Sequence, residues 1–293
     1  MTPDSIADAF RAACLAELRA LKPGNVHVHA AGHRMTVADF ERSADAAAPW
    51  IAAAGLRVGA RILKAVEATR AAVGMNTNLG IVLLAAPLAA AAEAANSVAT
   101  SGVTTTGVAA DGALRPALAR VLDSLDVEDA ELAFRAIRLA EPAGLGEAPA
   151  HDVRAPATVT LLDAMRAAAD RDRIAYQYAT AYADVFGRGL DSLAAAEARL
   201  GPGPWSAASL HLALLAAVPD SHIARKYGDA RAREVMEQAR TLLSRVEPGP
   251  AAQAELLAFD AALKAAGLNP GTTADLTVAT LFAARLRDAP GAG

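Results

Sequence analysis

Five short polar stretches stand out from an otherwise aliphatic sequence, and their residue types are those of an active site. The first runs from Lys22 through Pro23, Gly24, Asn25 and Val26 to His27, His29 and His33. Three imidazoles so close together are a spacing that can ligate a transition metal, whereas H-x-H on an extended segment with one structural histidine is the plainer reading. The second, Gly74-Met75-Asn76-Thr77-Asn78-Leu79-Gly80, places short polar side chains where a helix begins. Free N–H groups and the helix dipole make such a start an anion site, and Asn76 or Thr77 would equally serve as an ordinary cap. The third offers Glu147 and Asp152 on a glycine-bearing loop, suited to Mg²⁺ or to proton transfer, or merely to solvation. In the fourth, Asp220 precedes His222, Arg225 and Lys226, which share part of one helical face and suit a polyphosphate. The fifth, Asn269-Pro270-Gly271-Thr272-Thr273-Ala274-Asp275, opens the last helix, with Thr272 or Thr273 as its cap.

Helices must position these stretches. Helical periodicity and breakers predict segments at 5–21, 36–54, 55–73, 78–95, 127–140, 157–186, 190–200, 206–217, 229–246, 251–266 and 273–286. The segment at 36–54 opens on Thr36 and Asp39, spaced for a capping box. Residues 97–116 read as one long Gly/Thr-rich loop. The run 79–92 is uncharged and apolar, contains Pro87, and is read as a buried core helix too short for a bilayer. The expected architecture is all-α, one compact multi-helix domain over 1–293 around that central apolar helix.

The composition agrees. Of 293 residues, 54% are hydrophobic but only 4% aromatic, and alanine, the strongest helix former, supplies the difference. A net charge of −4 gives no electrostatic reason to expect nucleic acid, and nothing suggests export or a membrane, so the cytoplasm is the expected compartment. The single cysteine, Cys14, forms no intrachain disulfide and reads as a small core residue. Lysine is scarce: of Lys22, Lys64, Lys226 and Lys264, two fall in the polar stretches. Neither GxxxxGK[ST], GxGxxG nor GxSxG occurs, so a nucleotide would be bound in a helical frame without a phosphate loop.

In order along the chain, Lys22-Pro23-Gly24-Asn25-Val26, Gly32-His33-Arg34-Met35, Phe40 with Ser43-Ala44, the Asn76-Thr77-Asn78 turn, Asp220 to Gly228, and Asn269 to Asp275 resemble the triphosphoribosyl-dephospho-CoA synthase family. The resemblance is weakest between 97 and 140. It implies an all-α transferase that takes ATP and 3′-dephospho-CoA, joins the triphosphoribosyl group to the 2′-hydroxyl and releases adenine. Asn25, His27, Asn78, Leu79 and the His222–Tyr227 stretch depart from the family's usual residues. These forms look more like a divergent branch in methanogens and methylotrophs, implying an acceptor from tetrahydromethanopterin or related C1-cofactor assembly.

Adenine is β-linked in ATP and the family product is α-linked, so a single inversion through an oxocarbenium-like state suffices. On this reading Lys22, Asn25, Asn76, Thr77, Asn78, His222, Arg225, Lys226, Thr272 and Thr273 bind the nucleotide. His33 carries the proton, Glu147 and Asp152 are catalytic carboxylates, and Asp152 and Asp220 hold Mg²⁺. The expected partners are ATP and a small acceptor, either dephospho-CoA or a pterin-type precursor, and a homo-oligomer is compatible with the sequence. Two readings from other classes stay open: a metal-dependent hydrolase built on His27, His29 and His33, and a non-catalytic helical module that binds a nucleotide.

Overall fold

The computed structural model describes residues 1–29, 35–100, 113–142, 145–148 and 150–288. It is all-α, and no β-strand forms among the described residues. The helices are α1 (Pro3–Arg19), α2 (Val37–Ile51), α3 (Val58–Val73), α4 (Leu79–Thr100), α5 (Leu114–Asp123), α6 (Val127–Ala140), α7 (Leu161–Ala168), α8 (Arg173–Ala179), α9 (Leu190–Leu200), α10 (Pro204–Leu215), α11 (Ser221–Tyr227), α12 (Asp229–Leu243), α13 (Gln253–Ala265) and α14 (Gly271–Asp288). They fall into two compact units, the first formed by 1–12, 42–183 and 282–293, the second by 13–41 and 184–281.

Side-chain caps set many of the boundaries. Thr36 and Asp39 form the expected reciprocal box before α2, and Asp126 with Asp129 forms one before α6. Thr160 and Asp172 start α7 and α8 by accepting backbone N–H groups. Gly74, left-handed at φ 72°, closes α3 onto the Arg70 carbonyl.

In the first unit α4 is the apolar core, with Val82, Leu84, Ala86, Leu88 and Ala89 wholly buried. It is longer than the sequence pattern predicts, reaching Thr100, so the predicted loop 97–116 begins later and ends at α5; residues 101–112 lie outside the described residues. At this length α4 is apolar enough to cross a bilayer, but 72% of its apolar window is buried within the fold, as in a core helix. Pro87 cannot donate to the Leu83 carbonyl, and the fold supplies a substitute. The buried Tyr178 hydroxyl donates to the Leu83 oxygen at 2.7 Å and Tyr182 to the Leu84 oxygen at 2.9 Å. The single helix expected at 157–186 is broken twice: α7 ends at Ala168 and Asp172 caps a new helix, α8, which itself ends at Ala179, where Ala181 and Tyr182 adopt positive φ and the second tyrosine turns inward. α3 and α6 approach so closely that a Cβ on Gly59 would lie 2.6 Å from the Asp129 backbone, and Arg57 binds Asp126, Glu128 and Asp129 beside it.

The second unit buries Leu215, Ile223, Ala232, Val235 and Leu263 in one cluster and Leu21, Leu212 and Leu256 in another. Cys14 is buried here, as expected of a core cysteine.

Candidate active site

In the second unit the stretch Lys22–His27 is buried outright, which is unusual for a segment so polar. Gly24 explains its path. It sits at φ 83°, and a Cβ there would lie 2.8 Å from Pro270 Cδ and 3.0 Å from Leu263, so only glycine fits. The contact brings the two Pro-Gly turns together. Asn25 Nδ2 donates to Asn269 Oδ1 at 2.8 Å, and Asn25 Oδ1 accepts from Val26 N–H at 2.8 Å and from Lys22 Nζ at 3.1 Å.

Lys22 does not face solvent. Its ammonium is bound to Glu17 of α1, and both side chains are buried. Burial pushes the Glu17 carboxyl up and the Lys22 ammonium down, each opposed by attraction to the other. Asp275 adds a weaker attraction for Lys22. Beside this pair, Asp260 of α13 accepts from Gly24 N–H at 2.8 Å and from Lys264 Nζ at 3.0 Å. Burial alone would raise Asp260, but these donors together with His27 bring it below the usual carboxylate range.

The third member of the site is the junction of α11 and α14. Asp220 caps α11 through Ile223 N–H at 3.0 Å, while its other oxygen accepts from Thr273 N–H at 2.7 Å and Thr273 Oγ1 at 2.8 Å. Thr272 Oγ1 accepts from His222 N–H at 3.1 Å. The two threonines therefore do not cap α14, which starts earlier, at Gly271; they lie in its first turn and tie it to α11. Asp220 is buried, and burial raises its carboxyl against the pull of those donors. Lys226 is exposed and Arg225 half-buried, its guanidinium 3.5 Å from His222 Nδ1.

In the first unit the Asn76–Asn78 turn folds onto Ser43, part of the same sequence pattern. Thr77 Oγ1 donates to Ser43 Oγ at 2.6 Å, and the buried Asn78 donates to Thr69 Oγ1 at 3.0 Å and to the Ser43 carbonyl at 3.4 Å. Asn76 accepts from Leu79 N–H at 3.2 Å and is the cap. Glu147 and Asp152 lie elsewhere in this unit on an exposed loop that closes on itself. Asp152 accepts from Ala148 N–H, Arg154 N–H and the Arg154 guanidinium, which hold its carboxyl far below the usual range, and Glu147 faces the same arginine at 3.4 Å.

His33, expected to carry the proton, lies outside the described residues. The histidine metal site finds no support among the described residues: no group of three His, Cys, Asp or Glu side chains is placed to hold an ion. His27 is buried with Nδ1 accepting from His29 N–H at 3.2 Å, while His29 points to solvent. Nor do the residues fit a protein-held Mg²⁺, because the Asp220 oxygens take N–H and O–H donors and those of Asp152 take an arginine. Glu17, Asp260 and His211 escape motif reasoning. Their signal is a charged or imidazole side chain inside an apolar helix, with Lys264 one turn after Asp260.

The sequence from residue 3 to 292 matches the model of the ATP:dephospho-CoA triphosphoribosyl transferase family, CitG. The chain is also similar in fold to the crystal structure of a candidate triphosphoribosyl-dephospho-CoA synthase from Archaeoglobus fulgidus. That similarity has a TM-score of 0.61 at 22% identity and covers 84% of this chain and 98% of that one. No curated protein matches.

Proposed function

As a member of the ATP:dephospho-CoA triphosphoribosyl transferase family, this chain is a transferase with ATP as its substrate, and we propose that the buried network of its second unit is the catalytic centre. The observation that carries the proposal is the meeting of three separate polar stretches, at Lys22–His27, Asp220–Lys226 and Asn269–Asp275, through side-chain and backbone hydrogen bonds. A polar network kept dry in an alanine-rich fold is held there against a desolvation cost, which an idle loop would not be.

The roles differ from those read in the sequence. Lys226 and Arg225, on the accessible end of α11, are the proposed cations for the triphosphate. Lys22 is proposed as the residue that shapes the Gly24 turn and sets the field inside the site, with Glu17 balancing its charge. Asn25, Thr272 and Thr273 hold the two turns in register. The Asn76–Asn78 helix start is proposed, in its own unit, as a phosphate contact. Mg²⁺ would arrive on the triphosphate, as this ion usually does, and not wait in a protein cage. Bond exchange at the ribose C1′ needs a donor of a proton to departing adenine and an acceptor for the proton of the incoming hydroxyl.

The acceptor follows the family in the first instance, 3′-dephospho-CoA; a pterin-type precursor from C1-cofactor assembly is the second reading, favoured by Asn78 and Leu79 in the helix-start motif. Thermal unfolding with ATP and each acceptor in turn separates them, because a ligand that binds the native state raises the melting temperature. A shift with ATP and with one acceptor supports the transferase assignment for that acceptor. A shift with ATP alone removes both acceptors.

A further inference from the structure

Of the four lysines, three are paired with carboxylates: Lys22 with Glu17, Lys64 with Glu67 and Lys264 with Asp260. Lys226 differs. Among the described residues no carboxylate pairs with it, and its ammonium instead lies 5.1 Å from the centre of the Tyr227 ring. That distance is within the range over which an aromatic ring attracts a cation. Both residues stand at the exposed end of α11, and Tyr227 is 42% exposed, a large aromatic surface left in water.

An exposed tyrosine ordinarily swings about its side-chain bonds, but this one is tethered at its tip. Its hydroxyl donates to the Gly267 carbonyl at 2.9 Å. Gly267 belongs to the turn that ends α13. Its N–H donates to the Lys264 carbonyl at 3.0 Å and Leu268 N–H to the Leu263 carbonyl at 2.9 Å, the paired bonds of a Schellman end. Gly267 takes φ 69°, and a Cβ there would lie 3.1 Å from the Tyr227 oxygen, so glycine serves both the turn and the approach of the hydroxyl. The ring is thus fixed at both ends, by α11 and by a hydrogen-bonded turn directly ahead of Asn269-Pro270-Gly271.

We propose that Tyr227 is a positioning residue: its tethered ring holds the Lys226 ammonium ready for a phosphate group. The pairing stands on the contacts above; its use on the triphosphate of ATP rests on the proposed function. Arg225, half-buried beside His222, supplies the second cation of the same helix end. A lysine ordered only when an anion arrives loses rotamer freedom at that moment, and a ring that holds the ammonium beforehand reduces the loss. A ring also suits the task better than a carboxylate. Asp or Glu in its place would neutralise the ammonium and repel the phosphate, whereas a neutral ring orders the ammonium and leaves its charge intact.

Calorimetry with ATP and with inorganic tripolyphosphate tests this in wild type, Tyr227→Leu, Tyr227→Phe, Lys226→Met, and Lys226→Met combined with Tyr227→Leu. Tripolyphosphate has no base, so a ring that acts through Lys226 affects both probes alike. Tyr227→Leu should weaken both by about two- to fivefold, the worth of an exposed cation–ring contact. Tyr227→Phe keeps the ring and should recover most of that loss, and in the Lys226→Met background Tyr227→Leu should change nothing further. ATP weakened with tripolyphosphate unchanged shows instead that the ring meets the base, and overturns the proposal. So does an equal loss with and without Lys226, or no loss at all. Proton NMR reads the pairing without a nucleotide. The Lys226 side-chain signals should carry a ring-current shift that Tyr227→Leu abolishes, and its absence in wild type overturns the pairing. If neither probe binds wild type, or Lys226→Met binds both as well as wild type does, the triphosphate clamp of the proposed function falls, and the ring-current shift still decides whether Tyr227 holds Lys226.

Discussion

Glu17→Ala tests how the buried centre is held together. Glu17 and Lys22 expose 5% and 1% of their side chains, so neither charge is screened by water. Deleting the carboxylate leaves the Lys22 ammonium with the neutral Asn25 oxygen at 3.1 Å as its remaining acceptor. Breaking a buried pair from one side costs about 3–5 kcal/mol. A second route to the number agrees: the lysine can escape by losing its proton, and removing one at pH 7 from a group whose ordinary pKa is 10.5 costs about 5 kcal/mol. The melting temperature should therefore fall by roughly 10 °C at pH 7. The sign with pH follows from the same escape. In the variant the folded state favours neutral Lys22 while the unfolded chain stays protonated, so stability should recover as pH rises towards 10.5. Replacing both partners, as Glu17→Leu with Lys22→Met, removes both desolvation costs and should restore most of the loss. Chemical denaturation of wild type and the two variants at pH 7 and pH 9.5 measures all of this. A Glu17→Ala protein within about 1 kcal/mol of wild type at both pH values would refute the buried-pair reasoning.

Other expectations can be checked with the same stability assays. Tyr178→Phe should cost about 1–3 kcal/mol by orphaning the Leu83 carbonyl, and less in a Pro87→Ala background, where the backbone N–H gained at position 87 can reach that oxygen; equal costs in both backgrounds would contradict the substitution of tyrosine for the missing helix bond. Gly24→Ala combines a left-handed φ with a 2.8 Å approach to Pro270 and should destabilise by about 2–4 kcal/mol, measured by denaturant midpoint. His211 and His27 are both held neutral by burial in the fold but titrate near 6.5 when unfolded. Stability should then fall as pH drops from 6.5 towards 5, by up to about 1.4 kcal/mol per pH unit for each histidine, and His211→Asn should remove one proton's share of that slope.

Helix starts and stops were legible because they are local. Thr36 with Asp39, Gly74 and Asp220 announce their caps within four residues of sequence, and the structure uses each of them so. The break of 157–186 after Ala179 was not legible, since it goes with Tyr178 and Tyr182 answering a proline almost a hundred positions earlier. Site membership divided in the same way. Asn25, Asp220, Thr272 and Thr273 are conspicuous as polar residues beside Pro-Gly turns and helix ends. Glu17, Asp260 and His211 sit inside apolar helices, and only the packing shows that they are buried polar residues of the second unit. Lys22 shows the limit most plainly: its scarcity in the sequence marked it as important, yet its ammonium turns inward to Glu17 and not outward to a phosphate.

Transfer of the phosphoribosyl group of ATP is proposed to take place in the network around Lys22, Asn25 and Asp220. Its most direct test is to quantify adenine released from ATP with 3′-dephospho-CoA, and with pterin acceptors, by wild type and by Asn25→Ala, following the acceptor by mass spectrometry. One adenine is expected for each acceptor that gains the triphosphoribosyl mass, with release lowered at least tenfold in Asn25→Ala. ATP consumed without adenine, or adenine released equally by both proteins, would contradict it.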